Sequence, residues 1–241
     1  MKHKISLGVN IDHVATLRQV RGNTTAYPSL LEMVQLSKQG GASQITIHLR
    51  EDRRHIQDHD VVQLCAKSKL PINLEIAVDS KMVNMALKNK PHWVCFVPEK
   101  RQELTTEGGL DIERCFQQIK KLTLRLQSAG IKVSFFIEPS LKQVELSALA
   151  GADAIEFHTG QWVLSQGVQK KKVWNHLVEA AQWGHHLGMR VHAGHGLDYS
   201  HAKSIVKLPH LREVNIGHSL ICYALTDGIK LAVQKMRRQI R

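Results

Sequence analysis

Cysteine is scarce and scattered. Cys65, Cys95, Cys115 and Cys222 are the only four, and no two form a C-x-x-C pair. That argues against a disulfide framework or a structural zinc site and suits buried thiols in a reducing cytosol. Aromatic residues are only 5% of the chain. With none interleaved among the basic residues, a stacking platform for nucleic-acid bases is absent. No run approaches the ~20 apolar residues of a membrane span. Met1-Lys2-His3-Lys4 leads into too short an apolar stretch for a signal peptide, so a cytoplasmic location is expected. No linker rich in Pro or Ser divides the chain, and no G-x-G-x-x-G follows the first apolar run. Acids are also in deficit: 21 Asp and Glu against 33 Lys and Arg give a net charge of +12, with 15 histidines besides. Such a balance draws polyanions or small anionic ligands. Lys170-Lys171-Lys172 and Arg237-Arg238 with Arg241 read as solvated helix faces, with nucleic-acid binding as the non-enzymatic alternative.

What is present is a rhythm. The 241 residues come close to the roughly 250 typical of a (β/α)8 barrel. Eight short apolar runs read as strands: 5–9, 44–48, 72–76, 93–97, 133–137, 154–157, 189–192 and 214–216. Helical stripes fall between them. One starts at Pro28 with Leu30, Leu31 and Val34 and stops at Gly40-Gly41. Asp60 is the expected N-cap of the next, through Val61, Leu64 and Cys65. Ser80 opens a third, Asp111 caps a long fourth, and Ser140 with Gln143 forms a capping-box pattern for a fifth. A helix through Val173 and Leu177, a short one at 201–206 and a last stripe of Ile229, Val233, Met236 and Ile240 complete the set. The stretch after strand one, through Arg18 and Arg21, and the stretch from Gly160 to Lys172 read as polar connections. Strict alternation predicts a parallel sheet with right-handed crossovers. Eight units predict closure into a single (β/α)8 TIM barrel, one catalytic domain over residues 1–241, with an open doubly wound sheet as the competing fold. Asp227-Gly228 separates an extra short helix, close to the glycine turns discussed below, from the final one.

Chemistry gathers where the strands end, which in such a barrel is the catalytic face. His48-Leu49-Arg50-Glu51-Asp52-Arg53-Arg54-His55 leaves strand two with groups that transfer protons and grip anions. Other ends carry Asn10, Asp12 and His13; Glu75; Glu99 and Lys100; Glu138; Glu156 and His158; His195; and Asn215 and His218. Glu75 and Glu156 lie inside apolar runs, where desolvation raises a carboxyl pKa and suits it to general acid–base work; a buried ion pair is the other reading. Gly194-His195-Gly196 and Gly217-His218-Ser219 follow strands seven and eight, where these barrels often hold phosphate on backbone N–H groups. His13, His48, His55, His158, His192 and His195 could instead ligate a metal, but no fixed ligand spacing supports this, and no metal is expected. The long polar loop 98–109 has the length of a lid.

These residues together resemble one family. Gly8-Val9-Asn10-Ile11-Asp12-His13, the octapeptide from His48 with Thr46-Ile47 before it, Asn73-Leu74-Glu75, Val97-Pro98-Glu99-Lys100-Arg101-Gln102-Glu103, Thr105-Thr106-Glu107-Gly108-Gly109, Ala193-Gly194-His195-Gly196-Leu197 and Asn215-Ile216-Gly217-His218 are similar to pyridoxine 5'-phosphate synthases. The likeness runs from Leu7 to the last helix. It implies a cytosolic barrel, often octameric, that condenses 1-deoxy-D-xylulose 5-phosphate with 3-amino-2-oxopropyl phosphate. Pyridoxine 5'-phosphate, inorganic phosphate and water are the products, and no metal or organic cofactor is called for. By motif, His48 and Glu75 correspond to proton acceptors, His195 to a proton donor and Glu156 to a transition-state stabiliser. Asp12, His13, Arg50, His55 and Thr105 match contacts to the deoxyxylulose phosphate; Asn10, Arg21, Gly196, Gly217 and His218 match contacts to the aminoketone phosphate. The chain departs from the family pattern in a longer segment at 22–28, in His192 where Asn is common, and in Trp162 and the lysines beyond it. Another phosphate-binding barrel, an isomerase or aldolase, is the alternative enzyme. No lysine falls within an expected strand to serve as its Schiff base.

Overall fold

A computed structural model describes residues 4–22, 24–99 and 108–240. Eight parallel strands close into a barrel in sequence order: β1 (Ser6–Asn10), β2 (Gln44–His48), β3 (Ile72–Ile76), β4 (Trp93–Phe96), β5 (Lys132–Ile137), β6 (Ala154–His158), β7 (Arg190–Gly194) and β8 (Leu211–Ile216). The described residues also form eleven helices. None is long and apolar enough to cross a membrane.

Alternation along each strand sorts side chains to two faces. The outward set is aliphatic or aromatic: Leu7, Val9, Ile45, Ile47, Leu74, Phe96, Phe135 and Phe157 are fully buried against the helix layer and belong to one continuous core. The inward set is mostly polar, unlike the branched aliphatic filling usual in these barrels. Thr46 Oγ1 donates to Asn215 Oδ1 at 3.1 Å, Gln44 Nε2 to Glu213 Oε1 at 2.9 Å, and Asn215 Nδ2 to Glu156 Oε2 at 2.7 Å. Buried polar groups persist only when so satisfied. Cys95, Val97 and Phe136 form a small apolar cluster separate from the main core. A Cβ at Gly194 would stand 2.1 Å from Glu156 Oε1, so the absence of a side chain there makes room for that carboxylate.

Several expected elements are corrected. Residues after strand one are not a polar connection but helix α1 (Asp12–Gln19). Its polar residues Asp12 and Arg18 are themselves buried. Helix α2 (Leu30–Gly40) begins after Ser29, whose hydroxyl accepts from the Glu32 N–H, and not at Pro28. Asp60 is not an N-cap. Helix α3 (Asp58–Lys67) starts after Gln57, and Asp60 sits in its first turn, accepting from the Gln57 N–H at 2.9 Å. The same carboxylate takes both guanidinium nitrogens of Arg18 at 2.6 and 2.7 Å, which welds α3 to α1. Helix α4 (Ser80–Asn89) is capped by Asp79, and α5 (Ile112–Ser128) follows Asp111.

Helix α6 (Leu141–Leu149) lacks the Ser140–Gln143 box; Gln143 Oε1 accepts instead from the Ile112 N–H at 2.9 Å. The stretch 160–172 is helical too, as α7 (Gly160–Leu164) and the start of α8 (Gly167–His186). Short α9 (Tyr199–Ile205) lies between β7 and β8. Beyond β8, α10 (His218–Asp227) and α11 (Ile229–Gln239) are parted at Gly228 as expected. Strand β5 opens at Lys132, exposed at the end of the strand remote from the catalytic face.

Candidate active site

Register builds the centre. His48 and Glu75 pair at the same level of β2 and β3, each at an inward position. Their side chains enter a cavity of about 630 Å³ at the C-terminal mouth of the barrel. From β1 and α1 come Asn10, Asp12 and His13; from the loop after β2, Arg50 and His55; from β6, Glu156. The turn after β7 supplies His195 and Gly196, and the turn after β8 supplies Gly217 and His218. Two expected residues stand elsewhere. Arg21 is exposed beyond the end of α1 and does not line the cavity. Thr105 lies outside the described residues, as does most of the 98–109 loop.

A tight local network fixes Asp12. The Asn10 side chain caps the Asp12 N–H at 2.9 Å and donates to Oδ2 at 2.8 Å. Oδ1 accepts from the His48 N–H at 2.8 Å. One carboxylate thus ties β1, α1 and β2 together beneath the cavity. His48 Nδ1 stands 3.9 Å from Glu75 Oε2, and Nε2 stands 3.8 Å from Glu99 Oε2. Both Nε2 and that Glu99 oxygen are buried without a hydrogen-bond partner, a ring poised between two carboxylates and bound to neither. His55 Nδ1 accepts from the Ile56 N–H at 2.9 Å, so the neutral ring carries its proton on Nε2.

Burial moves the charges of the site. Glu75 is pushed well above the ordinary carboxyl range by desolvation, then by Asp12 and Glu156. Glu156 rises to about 8 through desolvation and the charge of Glu213, against the Asn215 hydrogen bond. His195 falls to about 4 through desolvation and then His158. His13 and His55 are also lowered, chiefly by burial. Glu99 goes the other way: burial favours its neutral form, but the nearby His48 ring, the hydrogen bond from the Glu51 N–H and the charge of Arg50 prevail. The cavity therefore holds carboxylic acids that keep protons and imidazoles that shed them, the inverse of solution behaviour.

One wall is built for anions. Helix α10 begins at His218 with no side chain capping its N-terminus, leaving N–H groups of the first turn aimed at the cavity mouth. Helix α9 differs: the Asp198 carboxylate already takes the Ser200 and His201 N–H groups. Arg50 and Arg54 line the same cavity.

Sequence reasoning left Thr16, Phe136, Asn215 and Ser219 out of the site, although all line the cavity. It also left out Glu99, which engages His48. Asn215 and Glu99 were visible as polar strand ends and Ser219 as the last residue of the Gly217 turn; Thr16 carried no signal. Among the described residues one group could hold a metal ion, Asp12, His48 and Glu75, with donor atoms within 4.8 Å of one another. Both Asp12 oxygens also accept hydrogen bonds there, from the Asn10 side chain and the His48 N–H.

A closed (β/α)8 barrel, an acid–base cluster at its mouth and an uncapped helix beside it define an enzyme of the phosphate-handling barrel class. Among solved structures, phosphoribosyl anthranilate isomerase from Thermococcus kodakaraensis superposes with a TM-score of 0.64 at 12% identity, covering 98% of this chain and 99% of that one. The 3-keto-L-gulonate-6-phosphate decarboxylase from Vibrio cholerae gives 0.65 at 11%, covering 98% and 97%. Those likenesses carry the fold alone. Sequence narrows the class: residues 7–241 match the model of the pyridoxal phosphate biosynthesis protein PdxJ, and the chain belongs to that family. A pyridoxine 5'-phosphate synthase from Bdellovibrio bacteriovorus is 62% identical over the full length of both chains. One from Photobacterium profundum is 47% identical, over 98% of this chain and 96% of its own.

Proposed function

We propose that this chain is a pyridoxine 5'-phosphate synthase. It joins 1-deoxy-D-xylulose 5-phosphate to 3-amino-2-oxopropyl phosphate and releases inorganic phosphate and water. The observation that carries the reading is the pairing of His48 with Glu75 at one level of the barrel, in a cavity lined also by Arg50, Arg54 and the uncapped start of α10. Condensing an amine with a ketone, expelling phosphate and closing the ring each move protons on and off carbon, nitrogen or oxygen. Groups with pKa values displaced toward neutrality serve such steps. Glu75, with a raised pKa, is an effective base once deprotonated, and His48 beside it is the second acceptor. His195 donates a proton that it acquires when the anionic substrates enter. Glu156, neutral near pH 7, donates a hydrogen bond to charge developing in the transition state.

Asp12, His13, Arg50 and His55 hold the deoxyxylulose phosphate, with Thr105, outside the described residues, assigned to it by the family resemblance; Asn10, Gly196, Gly217 and His218 hold the aminoketone phosphate, and Arg21, which stands outside the cavity, is not among them. No metal or organic cofactor enters this scheme. Residues 1–241 act as one catalytic domain. We place the protein in the cytoplasm, as a homo-oligomer of the octameric kind, with no nucleic-acid or membrane partner. Both substrates supplied to chelator-treated protein should give pyridoxine 5'-phosphate and inorganic phosphate in equal amounts. Silence that divalent metal restores would move the histidines into a metal site; silence that it does not restore would end the synthase reading.

A further inference from the structure

The end of β6 carries chemistry that the scheme above leaves unused. His158 and its neighbours Thr159 and Gly160 do not line the cavity, and neither does Glu138 at the end of β5. All four converge on His195 from behind. Glu138 Oε1 stands 2.7 Å from His158 Nδ1. The same oxygen accepts the Gly109 N–H at 2.9 Å. The His158 and His195 rings lie 4.8 Å apart at 57°. Phe136 abuts both, at 5.4 and 6.3 Å.

The backbone of His195 is held just as firmly. Its φ of +73° lies in the left-handed region, where a residue with a Cβ stays only if its surroundings impose it. The fully buried Thr159 hydroxyl is shared between the carbonyls of His195, at 2.5 Å, and Gly194, at 2.8 Å. Gly160 leaves space for both rings: a Cβ there would stand 2.7 Å from His158 Nε2 and 3.4 Å from His195 Cδ2.

We propose that Glu138 and His158 are positioning residues for His195: together they fix its imidazole and set the pH at which it takes up the proton it later donates. This rests on the reading of His195 as the proton donor. Glu138 Oε1, 2.7 Å from His158 Nδ1, holds that ring in place beside His195. Burial, and then the His158 ring 4.8 Å away, oppose a positive charge on His195, so it stays neutral in the empty pocket. The titratable groups that face His195 are His158 from β6 and Glu138 from β5; Glu156 reaches the neighbouring Gly194. Dianionic substrate supplies the opposing potential, and His195 is then charged when its proton is needed. Burial and His158 both lower the proton affinity of His195, and Glu138 raises it.

The test follows His195 directly. The full chain is labelled with 15N-histidine and titrated by NMR, with His195→Gln identifying the resonance. In His158→Gln the ring that lowers the proton affinity of His195 is gone and Glu138 remains, so His195 should titrate about one pH unit higher. The alkaline limb of kcat should move up with it. In Glu138→Gln the carboxylate that holds the His158 ring and raises the proton affinity of His195 is gone, and kcat should fall with KM unchanged. A folded His158→Gln protein whose His195 titration stays in place overturns the proposal. Should that variant fail to fold, an unchanged kcat in Glu138→Gln overturns it equally. If the wild-type chain makes no product, the synthase reading fails, while the NMR titration still reports whether the two rings are coupled.

Discussion

Glu75 Oε2 stands 3.9 Å from His48 Nδ1, beyond hydrogen-bond range and too close for a water to lie between. Both residues are fixed from below, Glu75 by its place in β3 and His48 by the carboxylate of Asp12 on its backbone N–H. A substrate atom entering from the cavity can meet either group without breaking a bond between them. Glu75→Gln keeps the shape and one oxygen but cannot accept a proton. The expected result is a fall in kcat of about 10²- to 10⁴-fold. His48→Ala should fall as far. Circular dichroism and unfolding midpoint should stay close to wild type in both. Near-normal turnover in either would remove that residue from the mechanism.

Glu156 makes stability depend on pH in a stated direction. Its folded pKa is raised from 4.5 to about 8, so the folded state binds a proton that the unfolded chain releases above pH 4.5. The contribution to stability is complete below that value and is lost as pH rises through about 8. Glu156→Gln cannot ionise and retains an oxygen to accept from Asn215. Its Tm should therefore fall less than that of wild type between pH 5 and pH 8 (about the window between the two pKa values). Parallel Tm curves for the two proteins would show that Glu156 ionises as freely in the fold as out of it.

How legible was all this in the sequence? Strands β2 and β3 were read to the residue, because apolar runs bounded by Gly or Pro leave little choice. Helix α1 was not, since its inner face is made by Asp12 and Arg18 as well as Val14 and Ala15, and a periodicity search scores only the apolar pair. Asp60 had the right type for an N-cap, but its partner Arg18 is 42 residues away, and local pattern cannot see that distance. The cavity residues were legible when they ended strands, as His48, Glu75 and Glu156 do. The Glu138–His158 contact was not, because it depends on two neighbouring strands ending at the same height.

The Arg18–Asp60 pair should prove a main fastening of α1. Both side chains are buried, and the contact is bidentate. Arg18→Ala leaves a buried carboxylate that still accepts from Gln57 but has lost its counter-charge. A loss on the order of 3–5 kcal/mol is expected in urea unfolding. Because α1 carries Asp12 and His13, KM should rise in the protein that remains folded. A loss under about 1 kcal/mol would mean that the pair is screened as surface pairs are.

The start of α10 offers the sharpest test of the anion wall. Gly217 immediately precedes the helix, and a Cβ on it would stand 2.9 Å from the Cβ of Asn10. Gly217→Ala must therefore push the first turn of α10 away from Asn10 and turn its free N–H groups off the cavity. The charge of the site is unchanged, so a purely electrostatic attraction would survive the substitution. A geometric one would not, because backbone donors hold a phosphate only when they point at it. The expected outcome is a rise in KM for one phosphorylated substrate of tenfold or more (about 1.4 kcal/mol of lost binding), with the other KM nearly unchanged. The affinity for inorganic phosphate, measured by calorimetry without substrate, should fall in parallel. If both KM values rise together, α10 orders the whole mouth and does not grip a single phosphate. If neither moves, the anion is held by Arg50 and its neighbours and not by the helix.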